Sequence, residues 1–282
     1  MKFLLCGCFH GKVPRRLISA AKKEKVDYIL STGDFYNYDY FRKLIFKYPK
    51  ETNGADEPLK KIIGAKKYYK FLKKFNLSEI RTLRKLNSLN IPILTAYGNN
   101  DDSDKEPWHK NRKIEKKKKS LEFNIKKLKN IKLIDYNFRK IDDYFIYFVG
   151  VKFPRKNKKA NYNGFSPYKT GLEEIKKLNK FFKKIDPKKV ILVTHEPPLD
   201  TKFDKVINKE SFAHNMHVGD YVLRDVIKRY KPFVHISGHM HEHQGKQYLG
   251  KTLLISHGPA QFGKFTLLEL KNNKIKRLKF YR

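Results

Sequence analysis

The stretch FVHISGHMH, residues 233–241, indicates both how the chain folds and what it binds. Its apolar first half predicts a short buried strand, which Gly238 ends. His239 and His241 follow two residues apart, so both imidazoles can lie on one side of the strand end. Histidine is the commonest metal ligand, and such a pair can supply nitrogens to adjacent metal ions. Paired histidines are also ordinary polar loop residues, so the pair alone does not decide.

Side chains suited to a divalent cation also follow four other predicted buried strands, at residues 3–6, 26–32, 91–97 and 190–194. Parallel strands end at one edge of a sheet, and ligands gather there. Five successive strand ends of this kind are hard to explain by chance. The candidate ligands at these five ends are Cys8, His10, Asp34, Asn99, His195, His239 and His241.

The order of the predicted elements indicates an α/β fold. The chain opens with a strand, a helix from Pro14 to about Lys22 and a second strand, which is the unit of a parallel sheet. Residues 138–141 and 144–149 predict a hairpin. Further helices are expected at about 172–184 and 218–230, and antiparallel strands at 252–256, 265–270 and 275–280.

No break in composition marks a linker, so we expect a single domain, residues 1–282, with basic insertions at about 35–89 and 102–130. In the first insertion a loop precedes a helix at 59–75, and Ser78 is expected to begin another helix. Lysines interleave with aromatic residues in 59–75, as on a nucleic-acid-binding face. An amphipathic helix covering the sheet has the same pattern and is the favoured interpretation.

The chain carries a formal net charge of +36. Such a charge attracts anions, nucleic acid and acidic lipid among them, but lysine far outnumbers arginine, so a solvated, lysine-rich surface is the favoured explanation. No apolar run approaches the roughly 20 residues of a membrane span. The first apolar residues are too few for a secretory signal, and Cys6 and Cys8 are too close together for a disulfide framework. We therefore expect a soluble, cytoplasmic protein that does not bind membranes.

The strand-end motifs resemble those of the calcineurin-like metallophosphoesterases. That family's pattern runs Asp-x-His, Gly-Asp, Gly-Asn-His-Asp/Glu, His and Gly-His-x-His. The segments around Pro197 and Gly219 are similar to the branch related to cyclic-nucleotide phosphodiesterases. The resemblance implies a four-layer α/β/β/α sandwich with two metal ions at the edge between the sheets. The matching residues here are Cys8-Phe9-His10, Gly33-Asp34, Gly98-Asn99-Asn100-Asp101, His195 and Gly238-His239-Met240-His241.

The resemblance also implies a distribution of the ligands between the two ions. One ion would be held by His10, Asp34 and His241, with Cys8 at the position of the family's aspartate. The other would be held by Asn99, His195 and His239, and Asp34 would bridge both. A carboxylate has two oxygens and suits that bridging position. The implied reaction is hydrolysis of a phosphodiester or phosphomonoester by attack of a metal-bridging hydroxide, with the phosphodiester slightly preferred.

Cys8 departs from the family pattern. As a thiolate it would favour zinc or iron over manganese or magnesium, and it would make the site sensitive to oxidation. As a small buried residue it would leave the first ion one ligand short. The expected cofactors are two divalent ions, Zn, Fe or Mn, with Zn or Fe favoured if Cys8 is a ligand.

Asn100 is the second departure, because the family commonly has a histidine there that protonates the leaving oxygen. An amide cannot supply that proton, and general acid catalysis contributes about 10²–10⁴-fold. The candidate catalytic residues are therefore Asn100, Asp101, which could orient a water, and His217. The candidate substrate-binding residues are Asn99, His217 and His257.

Two alternative functions are compatible with the sequence. The first is a nuclease that holds DNA or RNA on the lysine-rich surface, with salt-sensitive binding. The second is a metallophosphoesterase-fold scaffold that no longer catalyses a reaction. Retention of six of the seven family ligands argues against the scaffold.

Overall fold

The structure is a computed structural model that describes residues 1–52, 58–101, 120–150, 167–209, 211 and 213–282, the side chains of 167–174 excepted. Its strands form two six-stranded sheets. The first sheet contains β1 (Lys2–Cys6), β2 (Tyr28–Ser31), β3 (Ile93–Thr95), β4 (Ile131–Leu133), β11 (Phe265–Lys271) and β12 (Lys274–Tyr281). The second contains β5 (Asn137–Ile141), β6 (Tyr144–Val149), β7 (Val190–Thr194), β8 (Val234–Ser237), β9 (Gly245–Leu249) and β10 (Thr252–Ser256). The described α-helices span Arg15–Lys23, Asp39–Lys47, Pro49–Thr52, Leu59–Ile63, Ala65–Asn87, Leu121–Ile125, Pro167–Phe182 and Tyr221–Tyr230.

Both sheets are mainly parallel. In the first, β1 to β4 run parallel, and β11 and β12 extend the sheet antiparallel on the side of β1. In the second, β6, β7, β8 and β10 run parallel, with β5 and β9 antiparallel at the edges. Since parallel strands end at the same edge, the loops that follow β1, β2, β3, β7 and β8 can converge.

The two sheets pack face to face with helices outside. Successive side chains of a strand point to opposite faces, and β1 shows the consequence. Leu4 packs in a buried cluster with Leu17 of the first helix, whereas Leu5 packs in another cluster with Ile236 of the second sheet. The outer face of the second sheet packs against the helix Tyr221–Tyr230. The predicted α/β class and the four-layer α/β/β/α sandwich are confirmed.

The segment between β2 and β3 has an apolar cluster of its own. Helices Asp39–Lys47 and Pro49–Thr52 lie where the sequence predicts a loop, and this loop prediction is wrong. Aromatic side chains that fit no sheet face pack against one another here, which stabilises helices despite the turn residues nearby. The buried members of this insertion cluster are Tyr36, Phe41, Leu59, Tyr68, Leu72 and Phe75.

The two helices predicted in the insertion, at 59–75 and from Ser78, divide at a different residue. The break lies at Gly64, with φ +80°, and Ala65–Asn87 is continuous, so the expected start at Ser78 is wrong. Ser78 Oγ donates to the carbonyl of Phe75 at 2.6 Å and accepts from the N–H of Asn37 at 2.8 Å. The hydroxyl therefore joins the helix to the loop after β2 instead of capping a new helix.

The same helix confirms the amphipathic interpretation. Tyr68 and Phe75 are buried in the insertion cluster, Leu83 and Leu86 pack on the first sheet, and the interleaved lysines are exposed.

Pairing of the later strands differs from the expectation at one position. β10 was expected in an antiparallel tail, but it runs parallel to β8 and antiparallel to β9. The sequence does not predict β4 or β9, because both are short and only partly buried. Residues 102–119 of the second predicted insertion lie outside the described residues. Within the described ranges, no helix is long and apolar enough to cross a membrane.

Candidate metal centre

Four of the predicted ligands form a first group at the ends of β1, β2 and β8. One ligand atom from each of Cys8, His10, Asp34 and His241 lies within 4.8 Å of the others. The Nε2 atoms of His10 and His241 are 3.1 Å apart, and His10 Nε2 lies 3.5 Å from Asp34 Oδ2. Cys8 Sγ accepts from the backbone N–H of His239 at 3.2 Å. A thiol, a carboxylate and two imidazole nitrogens therefore face one point.

The other three predicted ligands form a second group at the ends of β3, β7 and β8. His195 Nε2 lies 2.8 Å from Asn99 Oδ1 and 3.1 Å from His239 Nδ1. Asn99 Oδ1 is 3.0 Å from His239 Nδ1, which closes the triangle. One oxygen and two nitrogens thus converge from three strand ends.

Asp34 lies between the two groups. Its Oδ2 is 3.5 Å from His10 Nε2 of the first group and 3.6 Å from His195 Nε2 of the second. Asn100 fixes the carboxylate by donating its backbone N–H to Oδ1 at 2.9 Å and its side-chain amide to Oδ2 at 2.8 Å. The position agrees with the bridging role that the resemblance implies.

Asp101 holds the backbone around Asp34 in position. Its fully buried carboxylate accepts the backbone N–H groups of Asp34, Phe35 and Gly98 at 2.7, 2.9 and 2.8 Å. These contacts join the loops after β2 and β3. A Cβ on Gly98 would collide with the Asp34 carboxylate, so only glycine fits this approach.

The backbone at the site is held in an uncommon conformation. The φ angles of Cys8, His10, Asp34 and His239 are +51°, +42°, +63° and +62°. Non-glycine residues in this region are strained, and such strain clusters at functional sites. The interlocking backbone hydrogen bonds supply the compensation, for example from Cys8 N to Gly33 O at 2.9 Å and from His10 N to Asp34 O at 3.1 Å.

The second ring nitrogens of the histidines contact different partners. His195 Nδ1 lies 2.7 Å from the carbonyl of Thr32, which fixes Nε2 as the nitrogen with the free lone pair. His241 Nδ1 lies 3.3 Å from the amide of Gln261. His10 Nδ1 lies 3.4 Å from a guanidinium nitrogen of Arg42.

Burial determines the protonation states of the site. It lowers the pKa of His10, and together with the neighbouring His195 it lowers the pKa of His239 to about 3. These imidazoles are therefore neutral at pH 7 and can ligate. Burial, followed by the charge of Asp34, raises the pKa of the Cys8 thiol well above its usual value. Burial by itself would raise the pKa of the Asp34 carboxyl. The charges of His195 and His10 and the N–H of Asn100 have the larger combined effect and lower this pKa below the usual range.

The donor set fits divalent metal ions. Neutral imidazoles, one carboxylate and one amide oxygen ligate such ions, and the thiol can do so after losing its proton. His195 Nε2 and Asn99 Oδ1 are both acceptors, since His195 Nδ1 carries the proton, and at 2.8 Å their approach is repulsive in the absence of a cation. This contact indicates a metal site.

The sequence of the whole chain agrees with this geometry. It matches the family profile described as metallophosphoesterase, calcineurin superfamily, over residues 4–280. The chain belongs to this family. A search of curated proteins found no significant match.

Solved structures share the metallophosphoesterase fold at low sequence identity. One is 18% identical with a TM-score of 0.65, covering 99% of this chain and 98% of that one. The protein TT1561 of Thermus thermophilus is 13% identical with a TM-score of 0.57, covering 99% and 97%. Purple acid phosphatase PPD1 from yellow lupin (Lupinus luteus) seeds is 12% identical with a TM-score of 0.53, covering 99% of this chain and 51% of the lupin enzyme.

The metallophosphoesterase fold brings all seven predicted ligands together, but it places two other predicted residues elsewhere. His217 Nδ1 lies 2.9 Å from Asp204 Oδ1, on the loop between β7 and the helix Tyr221–Tyr230. His257 is fully buried, with Nε2 on Thr32 Oγ1 at 2.8 Å and Nδ1 on the carbonyl of Gly258 at 2.5 Å. With both ring nitrogens engaged, this geometry favours a positioning role for His257 over substrate contact. Catalysis by His217 and substrate binding by either histidine stay predictions.

Three residues near the ligands in this metallophosphoesterase are not found by sequence reasoning. Arg42, Gln261 and Phe262 contact His10 or His241 from loops and helices that no motif marks. One signal existed for Arg42, which is the only arginine between Arg16 and Arg81 in a lysine-rich stretch.

Proposed function

We propose that this metallophosphoesterase hydrolyses a phosphodiester or phosphomonoester by in-line attack of water activated between two divalent metal ions. Such ions supply Lewis acidity toward the phosphoryl oxygens and lower the pKa of water. The observation that carries the proposal is the position of Asp34 between two groups of converging ligands.

We assign one ion to each of the two groups of predicted ligands. Cys8, His10, Asp34 and His241 would hold one ion. Asn99, His195 and His239 would hold the other together with Asp34, and the amide of Asn99 would also face the substrate. The expected ions are Zn, Fe or Mn, and the soft thiol favours Zn or Fe at the first group.

Protonation of the leaving oxygen sets the range of substrates. During hydrolysis a new P–O bond forms as the ester P–O bond breaks, and the leaving oxygen must take a proton. Asn100 cannot supply it, because its amide is no acid and already binds Asp34. Solvent water or another acid, with His217 as the predicted candidate, must do so. Esters with good leaving groups are therefore expected to react fastest.

The nuclease alternative gains no support from the insertion. Four aromatic residues interleaved with lysines suggested a nucleic-acid face. Tyr68 and Phe75 are buried in the insertion cluster and cannot stack on bases, and Tyr69 and Phe71 are partly buried and pack against this cluster. The net charge of +36 remains compatible with a solvated lysine surface.

Turnover of bis(p-nitrophenyl) phosphate and p-nitrophenyl phosphate, with zinc, manganese or iron added, tests the proposal. We expect metal-dependent release of p-nitrophenol that His195→Ala abolishes. His243→Gln is the matched control, because His243 Nε2 lies on the carbonyl of Lys205 at 2.7 Å and contacts none of the seven ligands in the described structure. Two bound ions per chain without turnover of either ester would contradict the proposal and favour the scaffold.

A further inference from the structure

Arg42 brings a positive charge from the insertion to the first group. A guanidinium nitrogen lies 3.4 Å from Nδ1 of His10, the ring nitrogen that does not contact Asp34 and His241. The side chain is 30% exposed, so solvent and ligands can reach it.

The insertion holds Arg42 in place. Phe41, the preceding residue, is fully buried in the insertion cluster and fixes the rotation of the helix Asp39–Lys47. Asn37 Oδ1 accepts the N–H of Asp39 at 3.0 Å at the start of that helix, and Asn37 N donates to Ser78 Oγ at 2.8 Å. The guanidinium is therefore delivered by a packed element and not by a free loop.

Its present partners leave the charge of Arg42 available. Asp39 Oδ1 is 3.8 Å away and its side chain is 36% exposed, which makes a weak ion pair. An imidazole that ligates through Nε2 carries a proton on Nδ1. Nδ1 of a metal-ligating His10 would then be a donor facing another donor, which frees the guanidinium to bind an anion.

Phe262 is exposed on the other side of the same histidine pair. Its ring is 63% exposed and meets the His241 ring edge to face, with 6.4 Å between centroids. The turn that carries it is fixed, since Ala260 N donates to Gly7 O at 2.9 Å and Gln261 N to Cys8 O at 3.2 Å. A large aromatic ring held in solvent beside a ligand group offers an apolar surface to whatever enters the site.

We propose that Arg42 and Phe262 form the two sides of the substrate entrance, with Arg42 binding phosphoryl oxygens and Phe262 packing against a flat, apolar leaving group. The contacts run from Arg42 to His10, on to His241 and then to Phe262, so the two side chains flank the first group. The inference rests on the proposed function and names its substrate class, a phosphate ester of an aromatic alcohol. The charge of Arg42 favours a dianionic monoester over a monoanionic diester.

Binding of two non-hydrolysable probes, phenylphosphonate and methylphosphonate, to the zinc-loaded chain tests this proposal by calorimetry. Phe262→Ala should weaken phenylphosphonate about threefold to tenfold and leave methylphosphonate unchanged, because only the first has a ring to pack. Arg42→Ala should weaken both probes about 10- to 100-fold, since both carry the same anionic group. Arg42→Lys keeps the charge without the planar fork and should lose less.

The chain offers a matched control for each substitution. Tyr248→Ala removes an aromatic ring that is 65% exposed on β9, and Arg139→Ala removes an exposed arginine on β5. Both should bind the two probes as the wild type does. Phe262→Leu retains apolar bulk and should bind phenylphosphonate with intermediate affinity, which separates packing from a folding defect.

Different outcomes overturn different claims. Equal weakening of both probes by Phe262→Ala, or no change in either, contradicts the leaving-group assignment. Unchanged binding in Arg42→Ala contradicts the phosphoryl assignment. Probe binding with the expected pattern but no ester turnover would support the entrance and reject the proposed hydrolysis.

Discussion

The two ligand groups on either side of Asp34 differ in chemistry and in support. The first contains a thiol, and its histidines contact side chains, Arg42 beyond His10 and Gln261 beyond His241. The second contains an amide and two imidazoles, and the second nitrogen of His195 contacts a backbone carbonyl. Asp34 is shared.

This difference implies that two bound ions would not be equivalent. Ligation by Cys8 at the first group would displace a thiol proton, whose pKa burial raises, whereas in the second group burial keeps His239 neutral and ready to ligate. Outer partners orient a ligand and tune the metal. Substitution of Arg42 or Gln261 can therefore change metal binding at the first group. The partner of His195 in the second group is a backbone carbonyl, which a substitution does not remove.

The largest effect is expected from Asp34→Asn, because it alters both groups at once. Loss of a residue that supports a metal ligand typically reduces metal affinity or activity 10–100-fold. Loss of the carboxylate between the two groups should therefore reduce turnover more than about 100-fold. Asparagine tolerates the φ of +63°, so the backbone should persist. Turnover and a thermal melt measure the two effects, with exposed Asp200→Asn as the control. Near wild-type turnover would show that Asp34 is not shared.

Cys8→Asp tests whether the first group is the softer one. The change restores the family's carboxylate, and aspartate also accepts the φ of +51°. The ratio of zinc to manganese affinity at this group should shift toward manganese by about tenfold or more, because oxygen is the harder ligand. Competitive metal titration measures the ratio. Cys6→Ala removes the other buried thiol and should not change it. If Cys8→Asp showed the same ratio of zinc to manganese affinity as Cys6→Ala, Cys8 would be excluded as a ligand.

Gln261→Ala addresses the side-chain support of the first group. Gln261 Nε2 lies 3.3 Å from His241 Nδ1. When His241 ligates through Nε2 its Nδ1 carries a proton, so the amide would turn its Oε1 toward Nδ1 and accept. Loss of this acceptor should weaken one of the two bound ions about tenfold while the other is unaffected. Calorimetric titration with zinc resolves the two sites. Gln247→Ala, which removes a contact to Lys202 N on the surface, provides the comparison. Equal weakening of both ions would contradict the independence of the two groups.

The smallest effect is expected far from both groups. Lys70→Glu combined with Lys73→Glu reverses charge on the exposed face of the insertion helix. If these lysines only form a solvated surface, turnover of p-nitrophenyl phosphate should change less than about twofold. Exposed charges are screened within about 10 Å at 0.1 M salt. A nuclease would instead lose affinity for single-stranded DNA and show a shallower salt dependence.

The sequence predicts which side chains converge because their positions follow from local pattern. Each one follows a buried apolar strand, and parallel strands end together, so Asp34 and His195 can be placed side by side although 161 positions separate them. Arg42 and Phe262 follow no such rule. Their closeness to His10 and His241 depends on the insertion cluster and on a turn bound to the loop after β1, which are tertiary facts.

Backbone detail was predicted less well for the same reason. Serine is a residue type that often begins a helix, but the hydroxyl of Ser78 instead accepts the backbone N–H of Asn37 from the loop after β2. β10 is predicted to be antiparallel like the two strands that follow it, yet all five of its residues are buried and its neighbour β8 is parallel. Local propensity does not specify which element will pack alongside.

The position of bound metal tests the central claim most directly. Crystals of the chain loaded with zinc or manganese, measured at the absorption edge of the metal, should show two anomalous peaks, one on each side of Asp34. One should lie among Cys8, His10 and His241, and the other among Asn99, His195 and His239. A single peak, or none within coordination distance of Asp34, would contradict the account.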